Sequence, residues 1–211
     1  MGYLHRALFA RDAARLPVVP APDVPPRLTG DVPDCADVLA PGDRTAAAEQ
    51  WVAWWRRLVV QAVREGQRSG TLPPADLDDD FEAIIQHRFG GQQKVFDPPE
   101  FESLADMQPL RVAVTMTTTS WRVWSNHQAN GSGKKPEQIP WHIVRDAAEG
   151  TAVALGIPAS ELNGYAHLLE VDGLWSFLAG PGCALCSAGL ARDPQAASKL
   201  LREIFSSALR L

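Results

Sequence analysis

Residues 165–179 read YAHLLEVDGLWSFLA, and this stretch decides the predicted fold class of the chain. Two mostly apolar runs, residues 165–171 and 174–179, flank the dipeptide Asp172-Gly173. A two-residue Asp-Gly turn between alternating apolar runs is the strongest hairpin signal that a short sequence carries. The stretch therefore predicts a β-hairpin of two adjacent antiparallel strands.

A longer strand is predicted upstream of the hairpin, over about residues 111–124. β-branched residues dominate there and alternate with other types, as in residues 112–115, VAVT. Such side chains are stiff and pack well on a pleated surface. After the turn at residues 180–182, residues 183–187 favour a third strand. Together these segments predict an antiparallel sheet.

Several helices accompany the predicted strands. The clearest covers about residues 45–65, because Trp51, Trp55 and Leu58 recur at three- and four-residue spacing. Further helices are predicted over about residues 76–89, 140–155 and 194–208. Helices beside antiparallel strands, without regular alternation of strand and helix, indicate an α+β fold.

The N-terminal part of the chain is predicted to be an arm, residues 1–43, attached to one compact α+β domain, residues 44–211. Residues 17–43 hold seven of the 17 prolines, which favours an extended segment. Such an arm cannot bury a core alone, so it drapes over its own domain, contacts a partner or stays mobile. Leu4, Leu8 and Phe9 are its candidate partner-binding residues.

Composition excludes several classes of protein. The chain has 20 basic and 25 acidic residues and a formal net charge of -5, which argues against a nucleic-acid binder. We expect no membrane span, because no apolar run approaches the roughly 18–20 residues that a spanning helix needs, and no secretory signal. Three cysteines, an odd and low number, predict a reducing, cytoplasmic location.

Motifs for metal, redox and cofactor chemistry are incomplete. Cys183 and Cys186 form a Cys-x-x-Cys pair that is structural, metal-binding or redox-active, and its position close to the end of the chain favours a structural role. His142 and Asp146 lie four apart on a predicted helix, a spacing that suits acid-base chemistry but also an ordinary polar face. Common hydrolase, metalloprotease and dinucleotide motifs are missing from the sequence. We expect no metal and no cofactor.

A tryptophan-lined pocket is the candidate ligand site. Trp121 and Trp124 on the predicted long strand would form its wall, with His127 at the rim and Lys134 in a polar loop over residues 125–135. The alternative is that these tryptophans belong to the core.

Two classes of function remain. The favoured one is a non-catalytic, cytoplasmic protein-interaction or adaptor protein that uses its N-terminal arm to bind another protein or a second copy of itself. The alternative is a small-molecule-binding protein or small enzyme that uses the tryptophan-lined pocket, with the loop over residues 125–135 as a lid.

Overall fold

A computed structural model of the chain describes residues 2–69, 95–131 and 138–209. Over these residues the elements are, in chain order, α1 (Tyr3–Ala13), α2 (Pro41–Ser69), α3 (Gln108–Met116), α4 (Thr118–Gly131), α5 (Trp141–Leu155), β1 (Tyr165–Leu169), β2 (Ser176–Gly180), β3 (Cys183–Ser187), α6 (Ala188–Ala191) and α7 (Pro194–Ala208). The fold is a mixture of helices with one small sheet, so the predicted α+β class is confirmed. The helix predicted over residues 76–89 lies outside the described residues.

The three strands form one mixed sheet in the order β1-β3-β2. β3 pairs in parallel with β1 and antiparallel with β2. The predicted hairpin over residues 165–179 and the purely antiparallel sheet are therefore wrong, because β3 lies between the two strands. All five residues of β3 are buried. A continuous apolar strand is favoured at the centre of a sheet that is covered on both faces.

The Asp172-Gly173 turn does not join β1 to β2 as a hairpin, because residues after β1 pair with a segment that is distant in sequence. Gly173 has the positive φ of +74° that a tight turn requires. However, Val171 forms an antiparallel bridge with Leu28, and the Asp172 amide donates a hydrogen bond to the Arg27 carbonyl at 2.8 Å. Pairing with this distant segment leads the chain away from β1 before β2 begins.

Residues 111–124, predicted as a strand, are helical and belong to α3 and α4 with a break at Thr117. Apolar residues in and just before this stretch also recur at three- and four-residue spacing. Leu110, Ala113 and Val114 lie on one face of α3 and are fully buried. The Thr117 hydroxyl donates to the Ala113 carbonyl at 2.8 Å, so this polar group is satisfied within the preceding turn. Strand propensity spans only about 1 kcal/mol, and burial of a helical face outweighs it.

Helices cover both faces of the sheet. α2 lies against one face, where Leu185 and Phe177 join an apolar cluster shared with α1, α3 and α4. α5 and α7 lie against the other face, where Ala184 and Cys186 join a second cluster. Successive β3 residues therefore point to opposite layers. Among the described residues, none of the helices is long and apolar enough to cross a membrane.

The proline-rich segment lies on the helices of its own chain. The Trp55 indole donates to the Asp23 carbonyl at 2.8 Å. Arg11 Nη1 donates to the Pro25 carbonyl at 2.6 Å. Of the three arrangements that the sequence left open, these contacts correspond to the first, a segment draped over its own fold.

Truncating Trp55 tests whether α2 is the centre of the core. Trp55 has no exposed surface and stacks on Trp51, with 5.4 Å between the ring centroids. We expect Trp55→Ala to lower the free energy of unfolding by about 3–5 kcal/mol, as large aromatic truncations in cores do. Val60→Ala on the same helix, at a side chain that is 50% exposed, is the control and should change it by less than about 0.5 kcal/mol. Urea unfolding measures both, and equal effects would contradict the assignment.

Candidate functional site

Leu4, Leu8 and Phe9, the candidate partner-binding residues, are buried inside the chain. Leu4 is 4% exposed, and Leu8 and Phe9 have no exposed surface. Their helix, α1, contacts α2, α3 and α4, so neighbouring elements enclose it. A side chain without exposed surface cannot contact a partner of the folded chain. The structure therefore places all three side chains in the core.

Trp121 and Trp124 do come together, but around a side chain of α1. Their ring centroids lie 5.7 Å apart, and the Phe9 ring lies 5.4 Å from Trp121 and 5.3 Å from Trp124. Phe9 thus packs against the two tryptophans that were predicted to line a ligand pocket. His127 is exposed further along α4, and Lys134 lies outside the described residues. The alternative interpretation of these tryptophans, as part of the core, fits this packing.

A buried arginine that the sequence analysis did not single out holds α1 against the junction of α3 and α4. Arg6 donates hydrogen bonds to the Val114 carbonyl and to the hydroxyls of Thr117 and Thr118. Its guanidinium carbon lies 5.7 Å from the ring centroid of Trp121. Burial lowers the pKa of Arg6 to about 10. A cation at the last carbonyls of a helix interacts favourably with the helix dipole, so Arg6 joins two elements.

A cluster of ionisable side chains, which no sequence motif predicts, lies where α1 meets α2 and β1. The Tyr3 hydroxyl donates to Glu65 Oε2 at 2.8 Å. The amide of Glu170, just after β1, donates to Nε2 of His5 at 3.2 Å. His5 must be neutral to accept this bond. Such contacts appear only when distant segments meet, so spacing along the chain gives no signal for them.

Burial shifts the pKa values of this cluster. It lowers the pKa of His5 to about 4 and also lowers the pKa of His167. Burial, followed by the hydrogen bond to Glu65, raises the pKa of Tyr3. The cavity beside these rings measures about 190 Å³, below the roughly 300–1,000 Å³ of ligand pockets. Perturbed pKa values often mark catalytic sites, but here the side chains are engaged in joining elements.

Cys183 and Cys186 face the interior of the fold. Both are free thiols and buried. Burial raises the pKa of Cys183 to about 11 and that of Cys186 to about 12. Because the thiolate is the reactive form, these pKa values disfavour redox exchange and fit the structural interpretation.

His142 and Asp146 lie on the exposed side of α5. Asp146 pairs with its neighbour Arg145 at 3.2 Å, and both side chains are more than half exposed. In the described part of the chain, no group of three or more His, Cys, Asp or Glu side chains is arranged to hold a metal ion. The pair therefore has the surroundings of an ordinary solvated helix face.

A groove lies between β2 and α7. β2 is an edge strand, bonded to β3 on one side and without a strand partner on the other among the described residues. Leu178 of β2 is 42% exposed and lines a groove of about 840 Å³. The opposite wall is the exposed flank of α7, with Ser198, Lys199 and Arg202. An unpaired strand edge beside a groove has the geometry of a site that accepts an extended peptide.

One contact caps α7, and another joins it to the turn after β2. The Asp193 side chain caps the start of α7 by accepting the amide of Gln195 at 2.9 Å. The Ser207 hydroxyl, near the other end, accepts the amide of Gly182 in the β2–β3 turn at 3.0 Å. The second contact holds the end of α7 beside the β2–β3 turn.

A second groove, of about 760 Å³, lies under the proline-rich segment and is bounded by Trp175. Arg11 and Asp12 at its floor are almost completely buried and pair at 2.7 Å. Asp12 also accepts the Leu28 amide at 2.8 Å. These polar groups hold the proline-rich segment in place, so they are engaged before any ligand arrives.

Comparisons with protein families, with curated proteins and with solved structures found no match. The geometry of the chain's own side chains is therefore the basis for its proposed function.

The pH dependence of stability tests the role of His5. The difference between its ordinary pKa of 6.5 and about 4 in the folded chain corresponds to about 3 kcal/mol. Between these pH values unfolding takes up a proton, so stability should fall as the pH falls from 6.5 towards 4. Urea unfolding across this range measures the slope.

The matched variants are His5→Gln and His142→Gln, the second at an exposed position on α5. His5→Gln should reduce the slope, because that side chain no longer titrates while His167, whose pKa burial also lowers, still does. His142→Gln should keep the slope. An unchanged slope in His5→Gln would show that the loss of stability arises elsewhere.

Proposed function

We propose that this chain is a non-catalytic protein-interaction protein that binds an extended segment of another protein by adding it as a strand to β2. The observation that carries the proposal is the outer edge of β2 beside the groove of about 840 Å³. Strand addition obtains affinity from main-chain hydrogen bonds and specificity from pockets beside the strand. Both components are available at this one place.

The proposal moves the interaction site predicted from the sequence. The side chains assigned to the N-terminal arm are core residues, whereas Leu178 of β2 is an exposed apolar side chain. An exposed apolar residue on a strand edge is costly in solvent, and proteins that keep one often use it for association. A cytoplasmic location belongs to the same proposal and is supported by the three free thiols.

The alternative, a small-molecule binder or enzyme, receives less support. Phe9 packs against the two tryptophans that were to line its pocket. The strongly shifted histidine, His5, accepts a main-chain hydrogen bond and lies beside a cavity of only about 190 Å³. Neither place offers a substrate-sized space with converging polar groups.

Site-specific photo-crosslinking in the native cell tests the proposal. A photoreactive amino acid at Leu178 should give discrete covalent adducts heavier than the 22.9 kDa chain. The same amino acid at Val123 on α4, 67% exposed and outside the groove, should give at most a tenth of that yield. Mass spectrometry of the adducts identifies the attached segment. Equal yields at both positions, or none at Leu178, would contradict the proposal.

A further inference from the structure

The charge of the groove differs from that of the chain. The formal net charge of the chain is -5, yet the charged side chains lining the groove are Lys199, Arg202 and Glu203, which sum to one positive charge. Neither Lys199 nor Arg202 forms an ion pair or a hydrogen bond with another described residue. Both cations are therefore available to a ligand.

The two faces of β2 differ in chemistry. Leu178 points towards α7 and lines the groove, whereas Phe177 and Ala179 point to the other face and pack on the cluster around α2. A strand added beside β2 would present alternate side chains to the same two faces. On the α7 face, a side chain of the added strand would contact the apolar surface of Leu178 with its base and lie near Lys199 and Arg202 with its tip. On the other face it meets half-buried apolar side chains.

We infer that the segment bound by β2 alternates acidic and apolar residues, with the acidic ones facing α7. This inference rests on the proposed function. A glutamate fits the α7 face, because its methylene groups cover Leu178 while its carboxylate reaches Lys199 or Arg202. Valine or isoleucine fits the opposite face, beside Phe177.

A second copy of the chain is a poorer occupant of this edge. Pairing of β2 with β2 of another copy, about a two-fold axis normal to the sheet, places both α7 helices on the same face. Lys199 and Arg202 of one copy would then approach the same residues of the other. Like charges across an interface disfavour association.

Fluorescence anisotropy with synthetic probes tests the inference on the full chain. The first probe is a fluorescein-labelled ten-residue peptide that alternates glutamate and valine, and the second replaces every glutamate by lysine. Two further probes keep the glutamate sequence but carry N-methyl groups either on the glutamate amides or on the valine amides, so that one of the two loses the main-chain donors that face β2 without a change of charge. We expect the glutamate peptide to bind at least about tenfold more tightly than the lysine peptide. One of the two N-methylated peptides should lose binding.

Charge reversal in the protein supplies the second arm. Lys199→Glu combined with Arg202→Glu should reverse the preference between the two peptides. Arg122→Glu, an exposed position on α4 outside the groove, is the control and should leave the preference unchanged. Circular dichroism and thermal unfolding confirm that each variant is folded. Raising the salt concentration should weaken the binding of the glutamate peptide but not the binding of a neutral serine-valine peptide.

The outcomes separate the inference from the proposed function. Equal binding of the glutamate and lysine peptides, with loss on N-methylation, would overturn the acidic preference and leave strand addition standing. Failure of every peptide to bind, or full binding of both N-methylated peptides, would overturn both. A concentration-dependent dimer in sedimentation that Leu178→Lys abolishes would assign the edge to a second copy and overturn the inference.

Discussion

The indole N–H groups of α2 are the interactions on which the rest of this structure depends. Trp51, Trp54 and Trp55 have no exposed surface. Each indole donates to a main-chain carbonyl of a different segment, at 2.8–2.9 Å, namely Ala7 of α1, Val95 before α3 and Asp23 of the proline-rich segment. A buried indole needs such a partner, because an unsatisfied donor costs roughly 1–3 kcal/mol. One helix thereby fixes three segments that are far apart in sequence.

The hydrogen bonds of the buried arginines in α1 follow from this arrangement. Once α1 is enclosed by helices, Arg6 and Arg11 are buried, and a buried cation must find oxygen atoms. Arg6 obtains them from the end of α3, and Arg11 obtains them from the proline-rich segment and from Asp12. Breaking such a contact would leave an uncompensated charge, which is strongly destabilising. The N-terminal helix is therefore built into the fold by polar contacts as well as by apolar packing.

The functional proposal follows from the asymmetry of the sheet. Because β3 is apolar on both faces, it takes the centre and leaves β1 and β2 at the edges. The end of β1 is occupied by the bridge between Val171 and Leu28, whereas β2 borders the groove under α7. The edge of β2 is also the edge beside Lys199 and Arg202, so position and charge coincide. The outer edge of β2 is therefore the edge on which the functional proposal rests.

Sequence by itself determined the α+β class, the three strand segments and the helices carried by strong periodicity, such as the one around Trp51 and Trp55. These features depend on neighbouring residues, so local patterns carry them. Tertiary structure alone decided that residues 111–124 are helical, that Phe9 packs against both Trp121 and Trp124, and that β3 separates β1 from β2. Each of these choices depends on a segment distant in sequence, whose packing outweighs a local preference of about 1 kcal/mol. The groove could not be read from the sequence for the same reason, because its two walls become neighbours only when α7 folds back over the edge strand.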